Sequence, residues 1–132
     1  MKFLTICNGG VVRSVSMALR LKLLGQDAIA ASCDFNSPAT LQYLGSWADY
    51  IILMQPRLFW LLPAEVRDEH RGKIRVMNVG EDVWGDPLHP TLTELTDEAA
   101  HRWKRAGWCI DGAEFSLDGT GATASASSGP YS

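Results

Sequence analysis

Four short apolar runs, separated by segments with helical periodicity, set the limits on how this chain folds. The runs are Lys2 to Cys7, Ala28 to Ala31, Tyr50 to Met54 and Ile74 to Val79. Each is too short for a surface helix and reads as a strand. Arg13 to Leu24 follows the first, with Val15, Ala18, Leu19 and Leu23 expected on one face and Gly25 as the stop. Ser37-Pro38 starts a second helix, Ser37 as cap and Pro38 at its first position, running to about Ser46. Arg57 to Asp68 is helical with a break near Leu61-Leu62, because Pro63 cannot donate inside a helix. After a loop from Gly80 to Pro90, Thr91 to Ala106 is the strongest helix. Its apolar stripe is Leu92, Leu95, Ala99, Trp103 and Ala106, with Glu94, Asp97 and Glu98 early and Lys104 and Arg105 late. That charge order suits the helix dipole. Strands alternating with helices predict an α/β fold, a parallel sheet with helices on both faces. Right-handed crossovers leave few topologies, and the order 2-1-3-4 is the natural one for four strands. The end of the first strand is then a switch point, where ligands bind in such sheets.

Composition fixes the organisation. The 132 residues, 46% hydrophobic and 20% charged, suit one unit over residues 1–117. Residues 118–132 are mostly Gly, Ser, Ala and Thr and read as a flexible tail. A net charge of −3 argues against a nucleic-acid partner. No apolar run reaches the ~20 residues of a membrane helix. Met1 to Ile6 leads into a strand rather than a signal peptide. The three cysteines have no metal-binding spacing, and their odd count suits a reducing, cytoplasmic setting. No metal or other cofactor is expected. Cys33 and Cys109 read as small buried hydrophobes, His70 and His101 as surface residues on helices. Trp47, Trp60, Trp103 and Trp108 read as packing residues. Arg57, Arg67, Arg71, Lys73 and Arg75 read as a solvated surface.

The chemistry concentrates in Cys7-Asn8-Gly9-Gly10-Val11-Val12-Arg13-Ser14, between the first strand and the first helix. Backbone N–H groups of such a loop, above a helix N-terminus, form an anion cradle. Gly9 and Gly10 permit the dihedrals it needs. Cys7 faces positive potential from the helix end and from Arg13, the environment in which cysteines act as nucleophiles. The planar fork of Arg13 matches two oxygens of a phosphate.

The loop resembles the signature of the low-molecular-weight protein tyrosine phosphatases, C-x-G-N-x-C-R-S/T after the first strand; the family includes related arsenate reductases. Cys7, Gly9, Arg13 and Ser14 match. The family's loop Asn is Gly10 here and its second loop Cys is Val12, so an intraloop disulfide is excluded. The resemblance implies a phosphatase that acts on a phosphorylated substrate through a phosphocysteine, with Ser14 hydrogen-bonded to the Cys7 sulfur. It also implies a general acid at the Asp-Pro of the late loop, Asp86-Pro87, with Asp82 and Glu81 as competitors. A solvent-exposed turn is the other reading of Gly85-Asp86-Pro87. Phe35 follows the second strand where relatives place a pocket wall. Trp84 and Leu88 stand in the acid loop, Leu88 where relatives carry an aromatic.

Three rivals remain. An arsenate reductase would need further thiols, and Tyr50 to Asp97 holds no Cys. A sugar-transport phosphocarrier of similar fold would lack the loop Arg. A phosphate- or phosphopeptide-binding module without turnover would need Arg13 and the amide nest but not Asp86.

Overall fold

The structure is a computed structural model and describes residues 1–111. The segment 118–132, and the last residues of the 1–117 unit, lie outside the described residues. Four strands, β1 (Lys2–Cys7), β2 (Asp27–Ser32), β3 (Tyr50–Leu53) and β4 (Ile74–Val76), form one parallel sheet in the order β2-β1-β3-β4. The helices are α1 (Arg13–Leu23), α2 (Pro38–Trp47), α3 (Leu58–Leu61), α4 (Ala64–His70) and α5 (Pro90–Arg105). The crossovers β1-α1-β2 and β2-α2-β3 run in opposite directions across the sheet, so their shared right hand puts α1 and α2 on opposite faces. Accordingly α1 packs with α5, and α2 with α4.

The register aligns the carboxyl ends of the strands: Cys7 pairs with Ser32, Ile6 with Leu53, and Leu53 with Val76. Regular strand β4 stops at Val76, short of the expected Val79. Its pairing continues irregularly, however: the Met77 N–H donates to Leu53 O (2.9 Å) and the Val79 N–H to Met54 O (3.0 Å). The Pro63 break is present. Leu62 is extended (φ −70°, ψ 148°), as a residue before proline must be, and it separates α3 from α4. At the opposite end of the sheet, Phe3 stacks on Tyr50 (5.8 Å) and Trp103 (6.3 Å), tying α5 to the strands.

Several expected exposures are corrected. In α1 the buried side is Met17, Ala18 and Leu21 together with Arg13, Ser14 and Ser16, while Leu19 and Leu23 face out. Polar residues take inward places because partners await them: Ser16 Oγ lies 3.0 Å from Thr96 Oγ1 of α5. His70 is not a surface residue; it is 3% exposed. It fits because Gly45 of α2 has no side chain, and a Cβ there would stand 2.7 Å from His70 Cδ2. Burial, then the charge of Lys73, holds the His70 pKa below its ordinary value. Trp60 is 59% exposed rather than packed inside, lying edge-on to Phe59 and under Arg67. Cys109 is exposed and Cys33 half-buried.

Candidate active site

The loop leaving β1 turns under Cys7 and enters α1 at Arg13. Gly10 makes the turn with φ +72°. A Cβ there would sit 3.0 Å from both the Ala31 carbonyl carbon and Ser32 Cβ, so conformation and space both demand glycine. The Gly10 N–H donates to Cys7 Sγ at 3.2 Å, and Ser14 Oγ lies 3.2 Å from the same buried sulfur. The Thr5 hydroxyl donates to Ser14 O (2.7 Å), fixing the first turn of α1 against β1. No side chain caps that helix, which leaves its leading N–H groups for the loop interior.

The end of β2 supports the loop. Ser32 Oγ donates to Asn8 O and accepts the N–H groups of Asp34 (3.0 Å) and Phe35 (2.8 Å). The Cys33 N–H donates to Cys7 O (3.1 Å) and the Asp34 N–H to Asn8 O (3.2 Å). Burial, then the neighbouring charge of Asp34, pushes the Cys33 thiol up to about 11.

Arg13 is fully buried. Its Nη1 donates to Gln55 Oε1 (2.7 Å) and Gly80 O (2.6 Å), and its Nη2 to Asn8 Oδ1 (3.0 Å). Its Nε has no acceptor among the described residues. A buried guanidinium N–H without an acceptor beside a loop of inward amides is suited to an anion. Gln55 Nε2 in turn donates to Glu81 Oε2 (2.8 Å). Arg57, read from the sequence as solvated, donates to Asn8 Oδ1 (3.2 Å) and stands 3.6 Å from Glu81 Oε1.

Cys7, Asn8, Gly10, Arg13 and Ser14 are therefore brought together by direct contacts. Gly9 and Val12 complete the turn, and Val11 is exposed at its outer edge. Sequence reasoning missed Gln55, Ser32 and the Gly80 carbonyl. The available signal was position: Ser32 and Gln55 are polar residues where buried apolar strands end.

The late loop is built differently. Asp86 is exposed, and its Oδ1 accepts the Leu88 N–H at 2.8 Å, an Asx turn. Trp84 is buried and packs edge-on to His89 (5.1 Å). Phe35, 82% exposed, and Leu88, 61% exposed, are left with apolar surface in solvent. Among the described residues no group of three or more His, Cys, Asp or Glu is placed to hold a metal ion. Among them, too, no helix is long and apolar enough to cross a membrane.

No protein-family model and no curated protein sequence matches this chain. Solved structures do. Wzb of Vibrio vulnificus, in complex with benzylphosphonate, is 20% identical with a TM-score of 0.63, covering 80% of this chain and 97% of its own. The tyrosine phosphatase Wzb from Escherichia coli K30, in complex with phosphate, is 17% identical with a TM-score of 0.62, over 80% of this chain and 96% of its own. The arginine phosphatase YwlE from Geobacillus stearothermophilus is 15% identical with a TM-score of 0.60, over 81% and 95%. The chain has the fold of the low-molecular-weight tyrosine phosphatases, and its Cys7 and Arg13 fit a C-x5-R motif in the loop after β1.

Proposed function

We infer that this protein is a cysteine-dependent phosphomonoester hydrolase whose substrate is a phosphotyrosine-like aryl phosphate. The observation that carries the reading is the Cys7 sulfur, held 3.2 Å from the Gly10 N–H in a loop where buried Arg13 keeps Nε without an acceptor. Cys7 attacks phosphorus in line. Arg13 and the loop N–H groups of residues 8–14 hold the equatorial oxygens, where negative charge lies in the transition state. Ser14 donates to the sulfur when it is ionised. Asp86 protonates the leaving oxygen, then takes a proton from the water that releases phosphate from Cys7. Phe35 and Leu88 offer exposed apolar surface to the aryl group, and buried Trp84 anchors the loop that carries Leu88. The unpaired cysteines support a reducing, cytoplasmic setting.

An arsenate reductase is less well supported. Cys33 has its pKa raised to about 11. Cys109 precedes Ile110, whose N–H donates to the Tyr50 hydroxyl at the start of β3, the end of the sheet away from Cys7. Neither thiol suits the relay such an enzyme needs.

The test is turnover of p-nitrophenyl phosphate by the full chain, with Cys7→Ser as its partner. Turnover that disappears in the variant, with circular dichroism and melting unchanged, is expected. Phosphate binding without turnover in the wild type would instead make the protein a binding module.

A further inference from the structure

Arg13 is the largest fully buried side chain of the described residues, and it is one member of a closed ring of side-chain contacts. The ring runs from Arg13 Nη1 to Gln55 Oε1, from Gln55 Nε2 to Glu81 Oε2, across the Glu81–Arg57 ion pair, and from Arg57 Nη2 to Asn8 Oδ1. It returns from Asn8 Oδ1 to Arg13 Nη2. Its members come from the loop after β1, the first residue of α1, the turn after β3 and the loop after β4.

We propose that Gln55 and Glu81 are the positioning residues for Arg13, fixing its fork so that Nε is left for the phosphate. The proposal rests on the phosphatase reading. An isolated glutamine amide can present either its oxygen or its nitrogen. Here the choice is forced at both ends: a guanidinium only donates and a carboxylate only accepts. Glu81 therefore turns Nε2 toward itself and leaves Oε1 for Arg13. The partner of Arg13 is thereby a neutral amide. A carboxylate in contact with the guanidinium would pair off its charge and compete with the phosphate dianion; an amide holds geometry without neutralising it. The negative charge that orients the amide stands one side chain further out, 3.6 Å from Arg57 and largely in solvent.

This arrangement predicts a sign. If Glu81 acted only as a nearby negative charge, its removal would tighten binding of an anion. As the residue that orients Gln55, its removal must weaken that binding. The experiment measures inhibition of p-nitrophenyl phosphate turnover by inorganic phosphate in the wild type, Gln55→Leu, Glu81→Leu and the double variant. Gln55→Leu should raise the phosphate inhibition constant about tenfold or more, the scale of one hydrogen bond to a charged group. Glu81→Leu should raise it less, about threefold, because Glu81 acts on Arg13 only through Gln55 and its own bond is weakened by solvent. The exposed position of Glu81 keeps that variant folded, so the test stands even if Gln55→Leu does not fold. In the Gln55→Leu background, Glu81→Leu should have no further weakening effect, because the two act through one path. An unchanged or lower constant in Glu81→Leu would overturn the positioning role while leaving the phosphatase intact. A wild type that neither turns over the substrate nor binds phosphate would overturn both.

Discussion

Between Cys7 and Ser14 the side chains of Cys7, Asn8, Arg13 and Ser14 all have partners in the protein, and the loop is held from β1, β2 and the segments after β3 and β4. Between Glu81 and Pro90 the balance reverses. Trp84 is the one buried side chain there, and Asp86 is held by a hydrogen bond within its own turn. Both loops need glycines with positive φ, Gly10 at +72° and Gly85 at +76°. Yet a Cβ at Gly10 meets backbone at 3.0 Å, whereas one at Gly85 meets nothing within 4 Å. On the proposed mechanism, a transition state with fixed charge positions calls for a rigid cradle. Leaving groups vary in size and shape, and a loop with few buried contacts has the low local stability that accommodates them.

The largest effect should come from the loosely held loop. Asp86→Asn should reduce turnover of phenyl phosphate or phosphotyrosine by about 10²–10⁴-fold, the scale of general acid catalysis. A substrate with an activated leaving group should be affected far less, and Asp82→Asn should change little. If Asp82→Asn produced the leaving-group dependence instead, the acid would be reassigned. Next comes Arg13→Lys. One ammonium cannot reproduce a planar fork that reaches Gln55, Gly80 and Asn8 together, so turnover should fall about 10- to 100-fold, at ~1.5–3 kcal/mol per charge-assisted bond. Near-normal turnover in the Lys variant would show that the cradle does not depend on the fork.

A matched pair of glycine substitutions then tests the contrast itself. Gly10→Ala and Gly85→Ala each meet the left-handed penalty of roughly 1–2 kcal/mol. Only Gly10→Ala must also displace backbone. Thermal melting should drop further for Gly10→Ala, and protection of Cys7 from iodoacetate by phosphate should be lost in that variant alone. Equal behaviour of the two would mean that the loops are equally yielding.

The smallest effect lies outside both loops. His70 has a pKa below its ordinary 6.5 in the folded state, so the unfolded chain binds more protons at mildly acidic pH. Its contribution to stability is complete above 6.5 and is lost as pH falls from there through the folded value. Denaturant titrations between pH 7 and 5 should show that slope, and His70→Gln should flatten it. A slope unchanged in the variant would place the titration elsewhere.

The fold was legible from short-range pattern alone: strand lengths, the Pro63 break and the Gly25 stop are local. The loop from Cys7 to Ser14 was legible for the same reason, since strand, turn and helix start are contiguous. What could not be read were pairings across the chain. Periodicity placed Leu19 and Leu23 inward on α1 because Ser14 and Ser16 look like outward residues until Cys7 and Thr96 are brought beside them. His70 looks like a solvated helix residue until Gly45, in a different helix, opens room for its ring. Gln55 is one polar residue after an apolar run, and nothing nearby in sequence ties it to position 13. Arg57 is exposed, as its sequence reading has it, but its contacts with Asn8 and Glu81 are equally invisible in the local sequence.

The acceptors of Arg13 have a consequence for how the protein comes to life during synthesis. They lie 5 positions before it, at Asn8, and 42 and 67 positions after it, at Gln55 and Gly80. Cys7 and Arg13 emerge from the ribosome early, but the guanidinium cannot be seated until residue 80 has been made and β4 has docked. Distant closures of this kind come late in folding, after local helices and neighbouring strands have formed. On the proposed mechanism, a nascent chain therefore carries the Cys7 sulfur through much of its synthesis without a seated Arg13, and the loop around the two is completed only after the fourth strand has docked.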